Sequence, residues 1–336
     1  MEIDLPFIWA AIIAFAILAY VLLDGFDLGV GILFPLVSEK SGYRDAMMNS
    51  VAPIWDGNET WLVLGGGGLL AVFPLAYAIV LPALYIPLIL MLLGLIFRGV
   101  AFEFRWRASE KRRIWWDRSF AFGSLVATFA QGICLGALIQ GIEIEGRSFA
   151  GGRLDWLSPF SILTGGALVV GYALLGATWL VMKCEGELQA RARRFATFAG
   201  LGTLTLIGIV SLATPFLNVQ YHHRWFEGYN LAFSIAVPFL VLICAAILFL
   251  GLKRHQDIRP FFAACGIFLL CYIGIGISFF PKMVPPSLTI WQAAAPHKSL
   301  DFLLVGTVVL VPVILAYTAY SYWVFRGKVD DEGGYH

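Results

Sequence analysis

Eight stretches of this 336-residue chain contain no aspartate, glutamate, lysine or arginine and are long enough to cross a bilayer. They are Leu5–Leu23, Thr60–Phe97, Ser119–Ile142, Trp156–Met182, Phe195–His223, Gly228–Leu252, Pro260–Pro281 and Phe302–Phe325. A helix needs about 20 apolar residues to cover the hydrocarbon core. The second stretch runs for 38 residues and holds Phe73-Pro74 near its middle. Proline disfavours helix at the residue before it, so this stretch reads as two helices and the total is nine. Only 13% of the residues are charged, against about a quarter in soluble domains, and 60% are hydrophobic. That balance excludes a soluble globule. Its 35 glycines and 15 prolines are spread along the chain, which excludes disorder and collagen. The expectation is an all-α, multi-pass membrane protein.

Nine spans put the two ends on opposite sides, and basic residues mark the cytoplasmic one. Of 23 lysines and arginines, 18 fall in alternate segments on one side and 5 on the other. The N-terminus is therefore expected outside and the C-terminus inside. Glu2 and Asp4 precede the first stretch, with no basic leader and no cleavage signature, so it reads as a retained span. Loops are short and no repeat appears, which predicts one integral membrane domain over residues 1–336 with a short cytoplasmic tail at 327–336. A net charge of +1 offers no field for nucleic acid. The five cysteines, Cys134, Cys184, Cys244, Cys265 and Cys271, have neither disulfide nor metal-pair spacing and read as packing residues.

Ionisable groups at membrane depth are costly and mark ion paths, proton relays or counter-ions. Asp24 and Asp27 interrupt a helix that otherwise continues from Leu5 to Leu36, and their i, i+3 spacing places them on one face. Asp56 and Glu59 open the second span with the same spacing, and Arg98 ends the third. The alternation of spans brings all five to the cytoplasmic half. Two readings stand: a carboxylate-lined proton entry steadied by Arg98, or helix-end acids favoured by the macrodipole together with an Asp24–Arg98 pair. Gly65 to Gly68 lie within a span, with no strand before them, so they read as close helix packing and not as a phosphate loop. His222, His223, His255, His297 and His336 all avoid span interiors and only Met91 lies well inside a span, so the chain is expected to carry no haem of its own, and the adjacent outer pair His222–His223 reads as solvated. Trp61 and Trp179 lie within spans, as packing or as the lining of a passage for a small apolar molecule.

The sequence resembles subunit II of the cytochrome bd-type quinol oxidases. The resemblance rests on Asp24-Gly25-Phe26-Asp27-Leu28-Gly29-Val30-Gly31, on Asn49 to Asn58, on Phe97-Arg98 and on Gly186-Glu187-Leu188. It continues through Phe280-Pro281, Pro285 to Trp291, Val311-Pro312 and Ala316-Tyr317-Thr318, covering about Phe7 to Arg326. It implies two four-helix bundles plus one peripheral helix. It also implies a homologous subunit I holding two b-type haems and one d-type haem, ubiquinol as substrate, oxygen reduced to water with cytoplasmic protons, and no haem in this chain. Further company would be lipids, quinone and a small single-helix accessory subunit, in a bacterial cell membrane. By the same resemblance Asp56 is the acid on a proton path, Asp24, Asp27 and Arg98 are polar positions near it, and Trp61 lies on an oxygen route. Glu59 stands where some relatives carry glutamine, and the short sixth-to-seventh loop matches the compact, cyanide-insensitive branch. The rival is a stand-alone proton-coupled transporter, whose paired broken-helix repeats are not found here.

Overall fold

The computed structural model describes residues 4–37, 42–226 and 230–329. Lys40, the loop residue Glu227 and the tail from Asp330 onward, with His336, lie outside the described residues. Helix α1 runs Leu5–Leu33, followed by a 3-10 turn at Phe34–Leu36 and by α2 at Tyr43–Val51. Then come α3 (Trp55–Val72), α4 (Pro74–Ala83), α5 (Tyr85–Arg107) and α6 (Glu110–Gln140). A two-residue hairpin, β1 (Ile144–Glu145) with β2 (Ser148–Phe149), leads to α7 (Pro159–Lys183) and α8 (Gly186–Ala213). The short α9 (Val219–Phe226) precedes α10 (Asn230–Lys253) and α11 (Arg259–Phe279). A second antiparallel pair, β3 (Lys282–Val284) with β4 (Leu288–Thr289), precedes α12 (Ile290–Ala293) and α13 (His297–Val324).

Among the described residues eight helices are each long and apolar enough to span a membrane, and nine are reached when α3 and α4 count as one bent span. These two meet at 119° around Phe73, whose φ of −123° and ψ of 60° are the non-helical backbone that Pro74 imposes. The long second run thus breaks where expected. It also breaks again at Leu84, so the run contributes to three helices, α3, α4 and α5, where two are expected. Helix α1 does not stop at Asp24 but passes through both aspartates to Leu33, because their charges are met inside the protein.

The tightest helix crossings depend on glycine, though not on the glycine run read in the sequence. A Cβ on Gly29 of α1 would stand 1.8 Å from the Tyr172 carbonyl of α7, and one on Gly123 of α6 would stand 2.5 Å from the Gly94 carbonyl of α5. Small residues permit such backbone contact where lipid leaves no hydrophobic drive between helices. In the run at 65–68, Gly65 and Gly68 touch only Ile17 and Ile13, while Gly66 and Gly67 face open space. The expectation of close packing there is corrected for those two. All five cysteines are free.

Two polar ties fasten the helix ends. At one, buried Asp117 of α6 accepts from Arg105 Nε at 2.5 Å and Arg44 Nη1 at 3.0 Å, and the two guanidinium groups flank the Phe34 ring. This holds α2 on α5 and α6. At the other, Lys183 donates to the carbonyls of Phe325 and Gly327, while Lys328 donates to the Cys184 carbonyl and to Asp257. Arg193 completes it with a 2.6 Å bond to the same aspartate. This clasp joins the segment after α13 to the α7–α8 and α10–α11 turns.

Candidate functional site

Arg98 of α5 is wholly buried and gathers acids from two other helices. Its Nη1 donates to Asp24 Oδ1 at 2.7 Å and to Glu59 Oε1 at 3.0 Å, and Nη2 lies 3.7 Å from Asp27 Oδ2. Asp24 and Asp27 are fully buried, while the Glu59 side chain is 25% exposed. A buried charge is tolerated when it is paired and hydrogen-bonded, so each member depends on the others. The i, i+3 spacing on α1 delivers both aspartates to one guanidinium as the sequence predicts.

The cluster extends in two directions through neutral side chains. Asn58 of α3 donates to Asp27 Oδ2 at 2.7 Å and accepts from the Tyr322 hydroxyl of α13 at 2.9 Å. On the other side Tyr20, one turn before Asp24, lies beside that carboxylate. Its hydroxyl accepts from Gln131 Nε2 at 2.6 Å, and Gln131 Oε1 accepts from Tyr172 at 3.1 Å. Six helices therefore contribute to one buried polar chain: α1, α3, α5, α6, α7 and α13. Within it Asp24 Oδ2, Asp27 Oδ1, Arg98 Nε and Arg98 Nη2 have no protein hydrogen-bond partner.

Asp56 does not join them. Although three residues from Glu59, it sits exposed on the first turn of α3, where its backbone carbonyl accepts from Thr60. The shared face read from the spacing thus divides: Glu59 turns to Arg98 and Asp56 to the surface of the chain. Trp61, 1% exposed, packs edge-on against Phe15 at 5.7 Å and beside Tyr20, close to the cluster. Trp179 stacks on Phe26 at 4.0 Å, a packing role. No local pattern marks Tyr20, Gln131, Tyr172 or Tyr322, and Asn58 enters the sequence reading only as the last residue of the Asn49 to Asn58 stretch. Gln131 is the one a search for polar groups at membrane depth finds once amides are included with charges.

Residues 5–325 match the family model described as cytochrome bd terminal oxidase subunit II. Subunit 2 of the cytochrome bd-I ubiquinol oxidase of Escherichia coli strain K12 is 32% identical over 371 residues, covering 98% of this chain and 96% of that one. Subunit 2 of the cytochrome bd ubiquinol oxidase of Bacillus subtilis strain 168 is 29% identical over 332 residues, covering 96% of each. Among solved structures, a chain of the bd oxidase from Geobacillus thermodenitrificans superposes with a TM-score of 0.77 at 17% identity, over 96% of this chain and 99% of that one, a likeness of fold. With its multiple apolar helices and a match across almost its whole length, the chain belongs to the cytochrome bd terminal oxidase subunit II family and is one subunit of a membrane-bound terminal oxidoreductase.

Proposed function

We propose that this chain is the haem-free subunit of a ubiquinol oxidase, and that the Arg98 cluster passes protons from the cytoplasm toward the oxygen-reducing partner. The observation that carries the reading is the cluster itself. Three carboxylates share one guanidinium within spanning helices. With all three ionised the site holds a surplus of two negative charges, which a mobile proton reduces. Glu59, the partly exposed member, is the point of entry, and Arg98 fixes where the carboxylate oxygens lie. The four unpartnered polar atoms are where water would complete the path, since buried polar atoms rarely stay unpaired. Asp56, exposed on α3, would meet the pathway across the surface that faces subunit I. Trp61, packed beside Tyr20, would border the oxygen route.

The chain is a poor fit for a haem of its own. His222 and His223 are exposed on the short α9, His255 lies in a turn, and His297 is the first residue of α13. Two b-type haems and one d-type haem in subunit I would carry the electrons, with lipids, quinone and a single-helix accessory subunit completing the assembly. In this reading the chain lies in the bacterial plasma membrane as one integral unit of two four-helix bundles and a peripheral helix, N-terminus outside. The short sixth-to-seventh connection in the sequence suits the compact, cyanide-insensitive branch. No observation favours a stand-alone transporter.

The test is quinol-driven oxygen uptake and proton uptake by the affinity-purified complex carrying Asp24→Asn, Glu59→Gln or Asp56→Asn. Each is expected to slow turnover about tenfold or more, in the range that general acid–base groups supply, with the reduced-minus-oxidised haem spectrum intact. Full turnover in all three would remove the proton path, and loss of the haem bands would assign the residues to assembly.

A further inference from the structure

At the end of the bundle opposite the Asp257 clasp, where α8 and α11 finish, an open cavity of about 650 Å³ lies between α9 and the segment that links α11 to β4. Asn218, Gln220, Arg224, Ser278 and Lys282 are among its walls. The cavity is built, not a chance gap beside a loose helix. Trp225 of α9 donates to Ser278 Oγ of α11 at 2.9 Å, and the buried Tyr221 donates to the Ile139 carbonyl of α6 at 2.8 Å. These two bonds hold α9 in place and fix the direction from which Arg224 enters.

The described wall is cationic. Among the described lining residues none is acidic, and the contacts of its two cations are to backbone carbonyls: Arg224 Nη1 to Ser278 at 3.4 Å and Lys282 Nζ to Ser287 at 3.1 Å. A guanidinium has five N–H donors and an ammonium three, so both keep donors to spare. Arginine with lysine, flanked by neutral amides, is the donor set that recognises a phosphate group. The neighbouring surface is of a different character: Phe216 and Val219, close in sequence to the lining residue Asn218, and Leu212 are apolar and 88%, 70% and 74% exposed. A cationic, hydrogen-bonding cavity beside an apolar surface, at the level of an interfacial helix carrying Trp225, has the shape of an amphiphile and not of a free ion.

We propose that this cavity seats the phosphate of an anionic phospholipid, with its headgroup against Arg224 and Lys282 and its acyl chains along Leu212, Phe216 and Val219. The test uses native mass spectrometry of the delipidated complex titrated with phosphatidylglycerol. One lipid is expected to bind to the unaltered complex and to the charge-preserving Arg224→Lys/Lys282→Arg variant, and about tenfold more weakly to Arg224→Gln/Lys282→Gln, as loss of two charge-assisted bonds requires. If the double variant does not assemble, Lys282→Gln alone gives the same comparison with a smaller loss. Phe216→Glu is expected to weaken the lipid and leave inorganic phosphate unaffected. Equal binding by the glutamine variants overturns the site, and equal affinity for phosphatidylcholine overturns its selectivity for an anion. Displacement of the lipid by inorganic phosphate at matched concentration reassigns the cavity to a free ion and overturns the lipid reading.

Discussion

Helices α6 and α7 bury 61% and 56% of their most apolar segment inside the chain, whereas α13 buries none of its own and α10 buries 28%. Apolarity runs the opposite way, since α10 and α13 are richer in aliphatic residues than α6, which carries a charged first turn and Gln131. In water that ordering would be a contradiction. In lipid it follows directly: hydrocarbon solvates a leucine helix as well as another helix does, so contact is decided by shape and by polar partners. The first region has both, in the crossings at Gly29 and Gly123 and in the Arg98 cluster. Helix α8 shows that modest apolarity is not sufficient either, for it buries only 17% and meets its neighbours mainly through α7.

The contrast can be broken most forcefully at glycine. Gly29→Leu drives a side chain into the Tyr172 carbonyl, which cannot swing aside, so the cost is expected at or above the upper end of the usual 1–3 kcal/mol, about, for overpacking. The complex should then fail to accumulate, judged by its yield on affinity purification. Gly306→Leu in α13, where nothing lies within 4 Å, is expected to leave the yield unchanged. Loss of the complex with both variants would mean that α13 is buried by the partner subunit and would dissolve the contrast.

Next comes charge. Arg98→Gln leaves three carboxylates without their cation, and removing one side of a buried ion pair costs about 3–5 kcal/mol. Thermal unfolding of the purified complex should show it as a lowered midpoint, and an unchanged midpoint would show that the cluster does not hold the first region together.

The smallest effect belongs to the clasp on the second region. Burial pushes the Asp257 carboxyl upward, but Lys328 and Arg193 outweigh it and hold the group below its ordinary value. A depressed carboxylate stabilises above its unfolded pKa, about 3.9, and that contribution is lost as pH falls through the lower folded value. The tie should therefore be closed at neutral pH and open only in strong acid, and Asp257→Asn should abolish that step. Carboxypeptidase access to the segment after Phe325, followed against pH, measures it. Because Asp257 is more than a third exposed, 0.3 M salt should narrow the difference between the two proteins.

What could be read without coordinates was whatever depends on composition over a window. The spans, the break at Phe73 and the pairing of Arg98 with Asp24 are of this kind, since a buried cation must find an anion within reach. The division between Asp56 and Glu59 was not legible, because i, i+3 spacing leaves two residues about 60° apart on a helix and only the position of α5 decides which one turns inward. Nor was the role of Gly66 and Gly67, as a glycine run looks the same whether a neighbour lies against it or not. Asn58 and Tyr322 are 264 residues apart, and no local pattern announces a bond across that distance.

The order in which the clasp is made has a consequence for how the protein is built. Lys328 and Val329 follow α13 in synthesis, and their partners Cys184, Asp257 and Lys183 emerge from the ribosome long before them. Helix α13 has little of this chain to lean against, and Lys328 adds a second tie to the Tyr322–Asn58 bond that already fixes its register on α3. A chain cut short before residue 328 would lack that lysine and leave Asp257 with Arg193 as its one cation among the described residues.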